Sequence, residues 1–135
     1  MFKSLQRAAL LALGWAFAWA PIALLVGITI VDPDNSMDEM WPLVGAYPGF
    51  LCGLVFSALL GIAERTKPLA HVAVSRAALW GVLSGVMVAA IPSIVAEPRG
   101  LLSVSIIGSI TLMSALSAVA SVMIVRKTKA PSFSV

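Results

Sequence analysis

Four apolar runs, none of them interrupted by Asp, Glu, Lys, Arg or His, dominate this sequence at residues 8–31, 43–63, 77–96 and 101–125. A helix needs about 20 apolar residues to cross the hydrocarbon core of a bilayer, and each run meets that length. Backbone N–H and C=O groups in hydrocarbon must pair within their own segment, so all four runs are predicted to be helices. The expected fold is all-α: a membrane-spanning four-helix bundle built as a single transmembrane domain over residues 1–135. Composition agrees, because 60% of the chain is apolar and 11% is charged, whereas a soluble domain is about a quarter charged. The mean hydropathy of +1.02 makes lipid the natural solvent.

The connections between the runs are short, which predicts that sequential helices lie side by side as antiparallel neighbours. Orientation follows from Lys and Arg, which gather on the cytoplasmic side of membrane helices. With the N-terminus inside, Lys3, Arg7, Arg65, Lys67, Arg76, Arg126, Lys127 and Lys129 are cytoplasmic, and only Arg99 is outside. Both termini are therefore expected in the cytoplasm, and the acidic loop with Asp32, Asp34, Asp38 and Glu39 falls outside. The first run has the basic flank of a signal peptide and an Ala18-Trp19-Ala20 triplet. Its apolar stretch continues to Val31, however, and Pro21 would follow the cleavage point, so an uncleaved helix is expected.

Helices in lipid associate by close backbone approach, which small residues permit. The second run carries Gly45, Gly49, Gly53, Ser57 and Gly61, and the third carries Ala77, Gly81, Gly85, Ala89 and Ser93. The first carries Ala8, Ala12, Ala16 and Ala20. A spacing of four forms one slowly drifting stripe on a helix, so Gly45, Gly49, Gly53, Gly61, Gly81 and Gly85 are the expected helix-packing residues. In the fourth run Ser103, Ser114, Ser117 and Ser121 share a face with Thr111 at its edge. That face is expected to hydrogen-bond to neighbouring helices or to its own carbonyls. Two readings of the stripes remain: packing within one bundle, or a stripe left over for a homo-oligomer or a larger membrane complex. Arg7-Ala8-Ala9-Leu10 and Arg76-Ala77-Ala78-Leu79 open the first and third runs, which admits a two-plus-two repeat.

Pro21, Pro48 and Pro92 fall inside the runs, and proline frees a carbonyl and bends a helix. If the helices splay at these points, an outer cavity lined by Trp19, Tyr47 and Pro92 is expected. Trp41 and Trp80 suit the membrane interface, where an indole N–H stays wet. Trp15 and Trp19 lie deeper, so their N–H groups need acceptors; the Phe17 carbonyl freed by Pro21 is one neighbour and a glycine face is another.

Reactive chemistry finds little footing. Cys52 is the one cysteine and lies within a run, and the one histidine, His71, lies in a loop, so neither an intramolecular disulfide nor a cysteine-based zinc site can form. The acidic loop lacks EF-hand spacing, and no run carries the ionisable residue that marks proton-coupled transport. No catalytic residue, cofactor or metal is expected, and the chain is not read as an enzyme. The basic residues sit at helix ends in place of a soluble stripe, so the partner is the bilayer, with anionic lipid heads at the inner loop and tail, and not nucleic acid.

Small multidrug-resistance pumps and dual-topology fluoride channels share this length, but the first run here has no glutamate and the charge bias is strong. Pro48-Gly49-Phe50, Gly53, Phe56 and Leu60, followed by Ser75-Arg76, Trp80-Gly81 and Gly85, resemble a group of uncharacterised small four-helix bacterial inner-membrane proteins. The likeness covers the second and third runs and implies a bacterial cytoplasmic membrane without an assigned activity. The function expected is that of an accessory or scaffold protein acting through helix–helix contacts. The alternative is a small transporter or channel for a neutral or lipidic solute.

Overall fold

A computed structural model describes residues 2–31, 34, 40–64, 68–95 and 100–129, with side chains for 5–30, 34, 40–64, 68–91 and 104–128. Helix α1 runs from Phe2 to Val26 and passes into a π-helical turn, Gly27–Val31. Helix α2 is Trp41–Ala63, α3 is Val74–Val95 and α4 is Gly100–Lys129. A 3₁₀ turn, Leu69–His71, precedes α3. Among the described residues there is no strand. All four α-helices are long and apolar enough to cross a membrane.

Local chemistry explains the ends. Pro42 stands in the first turn of α2, where its missing N–H costs nothing because that donor would be unpaired anyway. At the other end the Glu64 N–H donates to the Leu60 carbonyl at 2.9 Å. Helices α1 and α2 run on through Pro21 and Pro48. Pro68 is extended, with φ −66° and ψ 150°, and its carbonyl accepts from the His71 N–H at 2.9 Å to close the 3₁₀ turn.

The helices associate most extensively as α1 with α2 and α3 with α4, and less so as α2 with α3. Glycine makes both main contacts possible. A Cβ on Gly53 would meet Ala12 Cα at 2.7 Å, one on Gly49 would meet Trp19 Cγ at 2.9 Å, and Gly45 lies against Ala23 and the Trp19 carbonyl. Across the other pair a Cβ on Gly81 would meet Ala115 Cα at 2.9 Å, and one on Gly85 would meet Thr111 Cα at 2.7 Å. In both pairs the partner's number falls as the glycine's number rises.

Among the described residues the ladder stops short of Gly61, which is exposed and has nothing there within 4 Å of its would-be Cβ. A four-residue step advances about 40° around a helix. Over four steps, from Gly45 to Gly61, the stripe therefore turns off the face that α1 covers. Among the described residues, Gly61 therefore makes no packing contact.

The main core gathers Trp15, Trp19, Cys52, Phe56, Val88 and Ala118. A smaller cluster of Val72, Ala77 and Val122 seals the end near the α2–α3 connection. Arg126 reinforces that end from α4: its Nε donates to the Ala70 carbonyl at 3.0 Å and its Nη2 to the Val72 carbonyl at 2.8 Å. Large apolar side chains cover the outside, among them Phe17 and Ile62, each 77% exposed. Such a surface is costly in water and needs no covering in hydrocarbon.

Candidate functional site

Helices α1 and α4 scarcely touch through their backbones. They are joined by two tryptophans. Trp19 Nε1 donates to Ser117 Oγ at 2.8 Å, and Trp15 Nε1 donates to Ser121 Oγ at 3.0 Å. Ser121 Oγ in turn donates to the Ser117 carbonyl at 2.7 Å. A buried indole N–H without an acceptor is costly in an apolar medium, and the serine face of α4 supplies both acceptors. The Phe17 carbonyl is therefore not the partner of Trp19. The rings are held from behind: Trp15 stacks on Phe56 with centroids 5.2 Å apart, and Trp19 lies on Gly49.

Beside the two indoles a groove of about 290 Å³ opens between Leu10–Ala18 on α1 and Ser117–Val125 on α4. Its walls are almost wholly apolar, since the two serine hydroxyls are engaged by the indoles. Gly14, with nothing within 4 Å of its would-be Cβ, widens one wall. The groove lies toward the end of the bundle that carries Arg7 and Lys127, both exposed.

This is not the cavity expected at Trp19, Tyr47 and Pro92. Trp19 is 4% exposed and faces inward, whereas Tyr47 is 71% exposed and points away from the bundle. Pro92 belongs to α3, with its side chain outside the described residues. Trp19 and Tyr47 therefore do not line one recess, and α1 and α2 continue as helices through Pro21 and Pro48.

A second polar site sits between α3 and α4. Ser84 and Ser114 are each 0% exposed, with their Oγ atoms 2.8 Å apart. Both hydroxyls also reach the Gly81 carbonyl, at 2.8 Å from Ser84 and 2.7 Å from Ser114. Two hydroxyl protons cannot fill three contacts at once. One serine donates to the carbonyl while the other donates to its fellow serine, and the roles can exchange.

Glu64 at the end of α2 is buried, its side chain 4% exposed, with Arg76 Nε 3.0 Å from Oε1. The N–H is not aligned with that oxygen, which lacks a hydrogen bond among the described residues, so the contact is charge pairing. The buried Trp41 Nε1, Trp80 Nε1 and Thr111 Oγ1 also lack hydrogen-bond partners there. Trp41 lies over Gly27 of the π turn. Cys52 is a free, buried thiol, and no cluster of metal-ligating side chains occurs among the described residues. The acidic loop lies mostly outside the described residues, as do Arg65, Lys67 and the last six residues.

Comparison with known families, curated proteins and solved structures gives no match. The pairing of Trp15 and Trp19 with Ser121 and Ser117 had a signal in the sequence, namely two deep indoles on one helix and a serine face on another. The groove beside them had none.

Proposed function

We propose that the chain is a multi-pass protein of a bacterial cytoplasmic membrane, with antiparallel neighbouring helices and both termini in the cytoplasm. It serves as a non-enzymatic accessory or scaffold protein that acts through lateral helix contacts. The observation that carries this reading is the division of the helix glycines. Gly45, Gly49, Gly53, Gly81 and Gly85 are used up in close contacts inside the bundle, while Gly61 and Gly108 have nothing within 4 Å among the described residues. These open notches, on α2 and α4, permit the close backbone approach by which helices associate in lipid. The charge bias of the flanks supports the orientation.

Mild solubilisation, affinity purification and mass spectrometry test the role. A stoichiometric membrane partner is the expected result. A purified chain that is monomeric, partnerless and indifferent to Gly61→Leu and Gly108→Leu would count against a scaffold. Labelling of single cysteines at positions 3 and 129 in intact and opened cells tests the orientation.

A second reading, a transporter for a lipidic solute, draws support from the apolar groove between α1 and α4. Vesicles of the purified protein that move a fluorescent lipid between leaflets would favour it.

A further inference from the structure

The groove between α1 and α4 has three properties that together specify an occupant. It is apolar along its length and open on one side, so it accepts a hydrocarbon chain from the bilayer without enclosing it. It has the right length. Leu10 to Ala18 rises about 12 Å along α1, close to the roughly 15 Å of hydrocarbon in one leaflet. And one end is cationic. Arg7 stands one turn before Leu10 and Leu11 on the same face, and Lys127 stands one turn beyond Ile124 and two beyond Ala120. Both are exposed. Neither α1 nor α4 contains Asp or Glu, and the Glu64 carboxylate is already paired with Arg76.

We propose that this groove holds one acyl chain of an anionic glycerophospholipid, with its phosphate and charged headgroup between Arg7 and Lys127. The proposal rests on the membrane reading above but not on the scaffold role, and the orientation given there puts the lipid in the cytoplasmic leaflet. The acyl chain lies along Gly14, Ala18 and Ala120 and against the edge of Trp15. An uncharged or zwitterionic headgroup fills the same groove but gains less from the two cations. A juxtamembrane Lys or Arg contributes about a five-fold preference for an anionic lipid, and two contribute roughly 25-fold.

With Trp41 and Trp80 replaced, Trp15 and Trp19 remain as emitters; Trp15 lines the groove and Trp19 is buried against Gly49 and Ser117, so the lipid-dependent part of the quenching reports occupancy. The protein, carrying Trp41→Phe and Trp80→Phe, is reconstituted into phosphatidylcholine vesicles containing phosphatidylglycerol or phosphatidylcholine with brominated acyl chains, and indole quenching is read against mole fraction. The expected result is half-quenching at a roughly 25-fold lower fraction of the brominated phosphatidylglycerol. Arg7→Gln or Lys127→Gln should each reduce that ratio about five-fold, and the pair should abolish it, while Arg7→Lys keeps it. Gly14→Leu, whose Cβ meets nothing within 4 Å among the described residues and whose side chain enters the groove, should weaken quenching by both lipids. Circular dichroism checks that each surface variant folds. Equal curves for the two lipids in the unsubstituted groove would overturn the proposal. So would quenching by neither lipid together with disulfide dimers through Gly14→Cys, because a second copy of the chain then fills the groove.

Discussion

The Trp19 indole N–H donates to Ser117 Oγ at 2.8 Å, joining two helices whose backbones hardly approach. With Trp15 and Ser121 one turn along, it sets both the spacing of α1 from α4 and the groove beside them. Interhelical hydrogen bonds in membranes average about 0.6 kcal/mol and reach about 1.7. Ser117→Ala should cost about 1 kcal/mol or more, since it leaves a buried indole donor unpaired. Trp19→Phe with Ser117→Ala should cost less than the two single changes added together. A double-mutant cycle on unfolding in detergent or bicelles checks this, and additivity would show that the bond contributes nothing.

The contact of Gly53 with Ala12 makes a sharper demand. A Cβ there meets backbone Cα at 2.7 Å, an atom that cannot rotate away, so Gly53→Ala should destabilise by about 1–3 kcal/mol and Gly53→Leu by more. Gly61→Ala meets nothing and should be neutral, or stabilising by up to about 1 kcal/mol through helix propensity. Thermal unfolding of the two alanine variants side by side is the measurement. Equal losses would mean that the glycines act through propensity and not contact.

Ser84 and Ser114 share the Gly81 carbonyl but are not equivalent. Ser114 reaches it across the α3–α4 interface, whereas Ser84 reaches it within its own helix. Ser114→Ala should therefore lower stability by about 0.5–1.5 kcal/mol, and Ser84→Ala by less, because Ser114 keeps the carbonyl. A larger loss for Ser84→Ala in the same unfolding assay would reverse this assignment.

Arg126 ties α4 to the α2–α3 connection through two carbonyls. Arg126→Ala should raise amide exchange at His71 and Val72, whose N–H groups close the 3₁₀ turn, while leaving the middles of the helices protected. Arg126→Lys should restore part of the protection, since an ammonium reaches one carbonyl well but lacks the rigid fork for two.

Glu64 and Arg76 differ in exposure, with side chains 4% and 53% exposed. Arg76→Ala should hence destabilise more than Arg76→Ala combined with Glu64→Gln, because the single change strands a buried carboxylate. Comparing unfolding of the two variants decides it.

Four uncharged runs of membrane length determined the helices, because backbone pairing in hydrocarbon leaves few alternatives. The glycine stripes likewise marked which helix faces close contact would favour. The tertiary structure decided where each stripe ends. Spacing-four drift is visible in the sequence, but the width of the face a neighbour covers is not, so the exposure of Gly61 followed only from the position of α1. It also decided that Trp19 faces Ser117 while Tyr47 turns outward, and that a recess opens at the Arg7 end. A groove is space between two helices far apart in the chain. Its existence depends on their separation, which is set by the indoles between them and by the close contacts that hold α1 on α2 and α4 on α3. Local sequence determines whether a segment is a helix and which way its side chains alternate; the distance between segments is a property of their packing.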